Sequence, residues 1–365
     1  MPPSPCMPSI ITATVAGVSR AWRVRRMQCT RVGIVASTLS ELREKLTAFA
    51  AGELPQGVTL GEAGRDAPKL AFLYPGQGAQ RVGMLSDIRD RFPVVAESLD
   101  AMDAAVAETM ARPITHLLYP ERRAEAIGDD DAMAELTATE NCQPALISVG
   151  IALTQLLDQV GVAADVVAGH SVGEFTAAIA GGVLTPADGV RFVAARGAAM
   201  AAMQGDTGAM VALVCDVETA ESLLVEGTVL ANINHPRQVV ISGSSDAVAR
   251  VAAAADAQEI KAVPLAVSHG FHSPVFESLD LSEVIRALPL TDPQIPVSSG
   301  IFDPPYRDAD EARDVFQAHA TSPVVFTTAL ERCADLGAEL YLQVGAGGPL
   351  RSFARGTLGN TTPVY

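Results

Sequence analysis

The sequence predicts an α/β protein whose larger core carries an inserted smaller unit. Two observations predict this fold class. A G-x-S-x-G sequence, Gly169–Gly173, lies between an apolar strand pattern and a helix of small residues, which is typical of an α/β-hydrolase-like core. Residues 208–270 carry strand and helix patterns in the order β-α-β-β-α-β, which is typical of a ferredoxin-like unit.

The composition is that of an ordinary globular protein. The chain has 365 residues, 48% hydrophobic and 19% charged, enough for two or three packed units. A formal net charge of −16 argues against a nucleic-acid partner, and no apolar run is long enough to cross a membrane. The five cysteines are scattered and form no C-x-x-C. This predicts reduced thiols in a cytoplasmic protein, without a metal site.

The N-terminal segment differs from the rest of the chain. The first 40 residues contain no Asp or Glu and are rich in arginine. This composition resembles an organellar transit peptide, but we favour an upstream extension, residues 1–31, that is disordered or non-native. Residues 32–68 are predicted to form a linker segment. It contains a strand near residues 31–36, a helix over 39–51 and a Pro/Gly-bearing stretch over 52–68.

The core is predicted to occupy residues 69–207 and 271–365, on either side of the insertion. A buried strand at 69–74 is closed by Pro75-Gly76. Helices are then expected to about residue 157, followed by the strand that enters the elbow. The remaining predicted core elements are helices over 175–180 and 186–203 and a strand over 339–345.

The insertion is predicted to contain four strands and two helices. Alternating and apolar patterns indicate strands over 209–214, 228–233, 238–242 and 262–267, and helices over 217–224 and 245–257. A turn is expected at residues 234–236.

Ser171 is the candidate nucleophile. Glycines at both ends of the elbow permit a turn too tight for side chains, and the serine is held exposed above the sheet. The following helix directs its N-terminal N–H groups toward the reacting centre. A glycine-rich turn with a capping serine is the alternative.

A serine hydroxyl needs a base to take its proton. The chain has six histidines. His170 adjoins the serine and leaves the elbow in another direction, so we expect it to pack or hydrogen-bond beneath the turn. His269 and His272 both lie in S-H-G-F-H-S-P at the exit from the insertion, where side chains can project into a cleft. Residue chemistry alone leaves the choice between these two open.

Three motifs, in this order, resemble the signatures of malonyl-CoA:acyl carrier protein transacylases. More specifically, they resemble the acyltransferase domains of polyketide and polyunsaturated fatty acid synthases. They are F-L-Y-P-G-Q-G-A-Q at 72–80, G-H-S-V-G-E at 169–174 and V-S-H-G-F-H-S at 267–273. Shorter similarities include C-Q-P-A-L, N-I-N and S-P-V, and the likeness runs from about residue 69 to 353.

This resemblance implies a catalytic dyad. Ser171 would be the nucleophile and His272 its base, with the imidazole oriented by a backbone carbonyl near Val325 instead of a carboxylate. The backbone N–H groups of Gln77 and Val172 would form the oxyanion hole.

The resemblance also implies the substrate. Arg196 matches the arginine that receives the malonyl carboxylate, which a planar guanidinium can grip with two hydrogen bonds. Phe271 would fill the space that an α-methyl needs, and with Val172 it favours malonyl. Gln143 and Asn234 are expected to line the pocket.

The expected reaction moves malonyl from malonyl-CoA to Ser171 and then to the phosphopantetheine thiol of an acyl carrier protein. We expect no bound cofactor, and neither nucleic acid nor a membrane as a partner. Other synthase domains are further candidate partners. Two alternatives remain: an α/β-hydrolase-type esterase or thioesterase, and a non-catalytic domain of a megasynthase.

Overall fold

The computed structural model describes residues 30–62, 67–123 and 127–365. Residues 1–29, and with them nearly all of the predicted N-terminal extension, lie outside the described residues. The chain divides into two compact units between Pro68 and Lys69.

The first unit is a strand–helix–strand arrangement. Strands β1 (Thr30–Ile34) and β2 (Val58–Glu62) pair antiparallel, with Ile34 opposite Val58. Helix α1 (Leu39–Ala50) begins where the Thr38 side chain accepts a hydrogen bond from the Glu41 N–H. The predicted linker stretch 52–68 therefore contains a strand. Its short V-T-L-G-E pattern between turn residues gave no periodicity long enough to predict one.

The second unit contains the remaining elements. In chain order they are β3 (Leu70–Tyr74), α2 (Ser86–Arg91), α3 (Pro93–Val106), α4 (Ile114–Leu118), α5 (Asp129–Thr137), α6 (Thr139–Gln159), β4 (Val166–Gly169), α7 (Gly173–Ala180), α8 (Pro186–Ala201), β5 (Ala209–Leu213), α9 (Val217–Ser222), β6 (Thr228–His235), β7 (Gln238–Gly243), α10 (Ser245–Ala257), β8 (Ala262–Pro264), α11 (Ser282–Arg286), β9 (Val297–Ser298), α12 (Ala309–Ala318), β10 (Val324–Val325), α13 (Phe326–Asp335), β11 (Leu340–Gln343) and α14 (Leu350–Leu358).

The core sheet is parallel and has the order β11-β3-β4-β9. Strand β3 is buried along most of its length, as its continuous apolar run predicts. Tyr74, the last residue of β3, is paired with Gly169, the last residue of β4. Because the carboxyl ends of parallel strands meet at one edge of a sheet, the P-G-Q-G loop and the elbow lie side by side there.

The insertion forms its own sheet, in which the four predicted strands have the order β8-β5-β7-β6 with antiparallel pairing. Successive side chains of β5 alternate between its faces. Val211 and Leu213 pack with residues of α9 and α10, while Met210 and Ala212 pack with Phe271. The predicted fold class, an α/β core with a smaller sheet-bearing subdomain, is confirmed.

The insertion differs from its prediction in three places. Strand β6 continues through His235, so the turn lies at residues 236–237 and Asn234 belongs to the strand. Strand β8 ends at Pro264, because only residues 262–264 find a partner on β5. Strand β10, which comes from the core, pairs parallel with β6 as a fifth strand. Two residues are too few to give a sequence pattern.

Among the described residues, no helix has the length and apolar character needed to cross a membrane. The same residues contain no group of three or more His, Cys, Asp or Glu side chains that could hold a metal ion.

Candidate active site

Ser171 lies in a tight elbow between β4 and α7, with a φ of 50°, in the left-handed region that side chains seldom adopt. The flanking glycines explain how the chain makes this turn. A Cβ at Gly169 would lie 2.1 Å from the carbonyl carbon of Gly173, and one at Gly173 would lie 2.2 Å from the Tyr74 carbonyl oxygen. The two glycines are therefore required by the close approach of backbone to backbone.

His272 contacts the serine directly. Its Nε2 lies 2.7 Å from Ser171 Oγ, and its Nδ1 lies 3.0 Å from the backbone oxygen of Ser322. A carbonyl oxygen can only accept, so Nδ1 carries the hydrogen and Nε2 presents its lone pair to the serine hydroxyl. This is the tautomer that a general base needs.

The resemblance implies an orienting carbonyl near Val325. It belongs to Ser322, three residues earlier. Val325 lies in β10, where it pairs with Ile233 of β6 and its N–H donates to Gly300. Its backbone therefore belongs to the sheet of the insertion.

The other candidate base, His269, faces elsewhere. Its Nε2 donates to the Met200 carbonyl at 3.0 Å, and its Nδ1 lies 2.8 Å from Ser268 Oγ and 3.2 Å from Thr139 Oγ1. Of the two histidines that residue chemistry left open, His272 is the one that the structure brings to Ser171.

Burial and charge together keep the base neutral. The His272 ring is buried, and desolvation lowers its pKa to about 3, with a further contribution from the positive charge of Arg196. At neutral pH the imidazole is therefore unprotonated.

The two backbone N–H groups expected to form the oxyanion hole make no other hydrogen bond in the described structure. The amides of Gln77 and Val172 donate to no other group among the described residues. Gln77 follows β3, and Val172 immediately precedes α7, so the two N–H groups come from the ends of adjacent core elements. Gly78 N–H is already occupied, since it donates to Gln80 Oε1 at 2.6 Å.

Arg196 is a buried cation on α8. Its side chain donates to Gln143 Oε1 at 2.6 Å and to His319 Nδ1 at 3.3 Å, and its guanidinium carbon lies 5.3 Å from the centroid of the Phe175 ring. Within residues 30–62, 67–123 and 127–365, no carboxylate forms a salt bridge with it. Burial lowers the pKa of the guanidinium to about 9, so it is still charged at neutral pH.

The sequence of this chain is similar to those of a known protein family. A sequence model of a family described as the acyl transferase domain matches residues 71–350. The chain belongs to the acyl transferase domain family. The match spans both the elbow and the histidine motif, and the family resemblance predicted from the motifs is confirmed.

Relatives of this acyl transferase domain are found in two settings. It is 36% identical over 325 residues to a phenolphthiocerol synthesis type I polyketide synthase of Mycobacterium marinum, with 88% of this chain and 15% of that protein covered. It is 32% identical over 293 residues to the malonyl CoA-acyl carrier protein transacylase of Bacillus subtilis, with 76% and 87% covered. The chain thus spans a small part of the first relative and most of the second.

Solved structures show the same fold. The acyltransferase domain from the second module of the salinomycin polyketide synthase has a TM-score of 0.81 at 32% identity, covering 96% of this chain and 79% of that one. FabD from Acinetobacter baumannii has a TM-score of 0.74 at 29% identity, covering 82% of this chain and 94% of that one.

A cleft of about 300 Å³ in the acyl transferase domain opens onto the dyad. Core and insertion both line it, and Met210, Ala212 and Val240 give it an apolar wall. Of the residues expected from sequence, Gln77, Asn234, Phe271 and the two dyad members line it.

The remaining three expected residues, Val172, Gln143 and Arg196, are buried and lie outside the cleft lining. Asn234 accepts a hydrogen bond from His170 Nε2 at 2.7 Å and donates to Gln238 Oε1 at 3.1 Å. His170 thus hydrogen-bonds near the elbow, and Asn234 fixes its orientation. Phe271 stacks on Phe276 with a centroid distance of 5.7 Å.

Sequence reasoning missed His319. It is fully buried at the end of α12, where it contacts both Arg196 and the backbone of Ser171. Its one sequence signal is its place three residues before the S-P-V similarity, which gave no indication of these contacts.

Proposed function

We propose that this chain transfers malonyl from malonyl-CoA to the phosphopantetheine thiol of an acyl carrier protein, through an ester on Ser171. The observation that carries the choice of malonyl is Arg196, a buried cation without a carboxylate partner among the described residues. A desolvated charge of this kind is costly unless an anion compensates it. The free carboxylate of malonyl would supply that anion.

The dyad supports both halves of the reaction. His272 Nε2 takes the Ser171 proton as Oγ attacks the thioester carbon, and the departing coenzyme A sulfur receives that proton. In the second half, His272 takes the proton of the carrier thiol as its sulfur attacks the ester. Ser171 Oγ then leaves and recovers a proton from His272. The free N–H groups of Gln77 and Val172 would stabilise the negative oxygen formed in each half.

The order of acyl selectivity follows from a comparison of two free-energy costs. Leaving the Arg196 charge without an anion costs roughly 3–5 kcal/mol, whereas excluding one methyl branch is worth about 1–3 kcal/mol. Rejection of acetyl should therefore exceed rejection of methylmalonyl. The present partners of the guanidinium, Gln143 and His319, are neutral, so Arg196 can pair with a substrate carboxylate without first breaking an ion pair.

A basic groove beside the cleft supports an acidic carrier protein as the acceptor. Arg351 and Arg355 supply the positive charge of this groove, which measures about 510 Å³ and shares Pro349 with the active-site cleft. Neither Asp nor Glu is among its lining residues in the described chain. In a protein of net charge −16, this local positive surface favours an anionic partner. One solved relative is a malonyl-transacylase in complex with a type II polyketide synthase acyl-carrier protein.

Intact-mass measurement after incubation with malonyl-CoA tests the proposal. We expect a covalent gain that matches malonyl, absent in Ser171→Ala and much reduced in Arg196→Ala. Arg191→Ala is the matched control, because Arg191 lies on the same helix but is exposed and paired with Asp188. If no adduct formed and no coenzyme A were released, the proposal would fail. Release of coenzyme A without an adduct would support a thioesterase instead.

A further inference from the structure

We propose that His319 is a positioning residue that joins the anion-binding guanidinium of Arg196 to the backbone of the nucleophile. This rests on the proposed function only for the identity of the anion. His319 Nδ1 lies 3.3 Å from the guanidinium, and its Nε2 lies 3.1 Å from the Ser171 carbonyl oxygen. One imidazole thus bridges the two groups that recognise and attack the substrate.

The two contacts require a single tautomer. A guanidinium can only donate, so His319 Nδ1 must be the acceptor. A carbonyl can only accept, so His319 Nε2 must carry the hydrogen and donate it to Ser171. The neutral Nε2–H imidazole satisfies both contacts at once. Arg196 therefore fixes which nitrogen of His319 carries the proton.

The carbonyl that His319 holds belongs to a residue in an uncommon backbone conformation. Ser171 has a φ of 50°, and its carbonyl also accepts the Glu174 N–H at 2.8 Å. With His319 as second donor, both lone pairs of this oxygen are used. Rotation of the Ser171 peptide, which would move Oγ away from its base, breaks the contact with His319.

The surrounding packing keeps the imidazole in place. His319 is 0% exposed, and its ring lies 4.5 Å from Phe175 and 5.5 Å from His272, centroid to centroid. The next residue, Ala320, accepts the backbone N–H of His272 at 3.1 Å. The segment that begins at His319 therefore holds both members of the dyad.

Three substitutions separate the two contacts. His319→Gln can place an amide N–H near the position of Nε2 and keep the bond to Ser171. His319→Asn is shorter and keeps only a polar group near Nδ1, toward Arg196. His319→Leu removes both contacts with little change in volume. Substitution of a residue that acts by positioning the nucleophile should change kcat more than KM.

The first readout is the labelling rate of Ser171 by a fluorophosphonate probe, which needs the nucleophile and its base but no carboxylate. We expect His319→Leu and His319→Asn to lower this rate by about tenfold or more, and His319→Gln to recover most of it. With malonyl-CoA, the same order should appear in kcat, with KM changed by about twofold or less. Equal labelling rates for His319→Gln and His319→Leu, or a wild-type labelling rate for His319→Leu, would overturn the proposal.

Phe316→Leu is the control for packing. Phe316 is buried on α12 and packs against Phe175 at 4.9 Å, as His319 does at the end of that helix. We expect this substitution to lower the thermal midpoint while leaving the labelling rate within about twofold of wild type. If Phe316→Leu slowed labelling as much as His319→Leu, the effect would be one of packing and the proposal would be wrong.

A double-substitution cycle tests the link to Arg196. Arg196→Met and His319→Leu should each reduce the acylation rate. We expect the fold reduction in the double variant to be smaller than the product of the two single fold reductions, because both substitutions break the same chain of contacts. Multiplicative effects would contradict the link. If the wild type accepted no malonyl while the His319 variants still changed probe labelling, the proposed substrate would fail and the positioning role would stand.

Discussion

His272 Nδ1 donates to the backbone carbonyl of Ser322 at 3.0 Å, so a peptide group orients the base of this dyad. A carbonyl fixes the tautomer as a carboxylate would, but it brings no full negative charge to stabilise an imidazolium. The nearest strong charge is instead positive, since Arg196 acts with burial to disfavour protonation of His272. A substrate carboxylate bound to Arg196 would offset this positive charge and so favour protonation of His272.

The pH dependence of acylation should reflect this environment. The pKa of His272 is lowered from its usual 6.5 to about 3, and the base must be neutral to act. We therefore expect kcat/KM for acylation to stay constant as pH falls through 6.5 and to decline only well below it. Arg196→Met should move the acidic limb to higher pH, because it removes a positive charge that lowers the pKa. A wild-type limb centred near pH 6.5 would contradict this account.

Acyl selectivity should depend on the Arg196 charge. Arg196→Met is expected to lower the rate of malonyl loading by roughly 10²–10⁴-fold relative to acetyl loading, as estimated from the cost of an unpaired buried charge. The measurement is the ratio of acyl-enzyme formation rates with malonyl-CoA and acetyl-CoA. Arg191→Met, on the exposed side of the same helix, should leave that ratio unchanged.

Glu174 should make stability depend on pH. Its buried carboxyl accepts hydrogen bonds from Ser299 and Tyr306, its Oε2 has no partner among the described residues, and burial raises its pKa from 4.5 to about 7. Between these values the folded state keeps a proton that the unfolded state releases, so stability falls as pH rises. We expect a loss of about 3 kcal/mol from this group between pH 4.5 and 7.

Glu174→Gln tests that expectation by urea unfolding across this pH range. The amide cannot ionise, so the free energy of unfolding should vary less with pH and exceed the wild-type value at pH 8. An unchanged pH dependence would show that Glu174 does not carry the effect.

Gly173 should tolerate no side chain. A Cβ there would lie 2.2 Å from the Tyr74 carbonyl oxygen, so Gly173→Ala must displace β3 or the elbow. We expect a loss of more than about 2 kcal/mol in the free energy of unfolding, with loss of fluorophosphonate labelling. Gly128→Ala is the control, because its nearest atom would lie 3.8 Å away. Equal stability of the two variants would count against the steric explanation.

The parts of the site that the sequence predicts are those encoded locally. The elbow is a five-residue pattern whose glycines are required by backbone contacts within a few residues or with the adjacent strand. The contacts of His319 and Ser322 are different, because they join residues 148 and 50 positions apart along the chain. Tertiary packing alone brings such residues together, so neither periodicity nor motif spacing could reveal them. His272 itself was singled out from His269 only through family resemblance.

Strand β10 constrains how this domain can be recombined with its relatives. It follows the segment that contacts both dyad members, and it pairs with β6 of the insertion. If residues 208–270 were exchanged alone, the new β6 would have to accept a foreign edge strand, and a poor match would shift the loop that orients His272. A chimera designed to alter the cleft should therefore carry residues 319–325 together with the insertion.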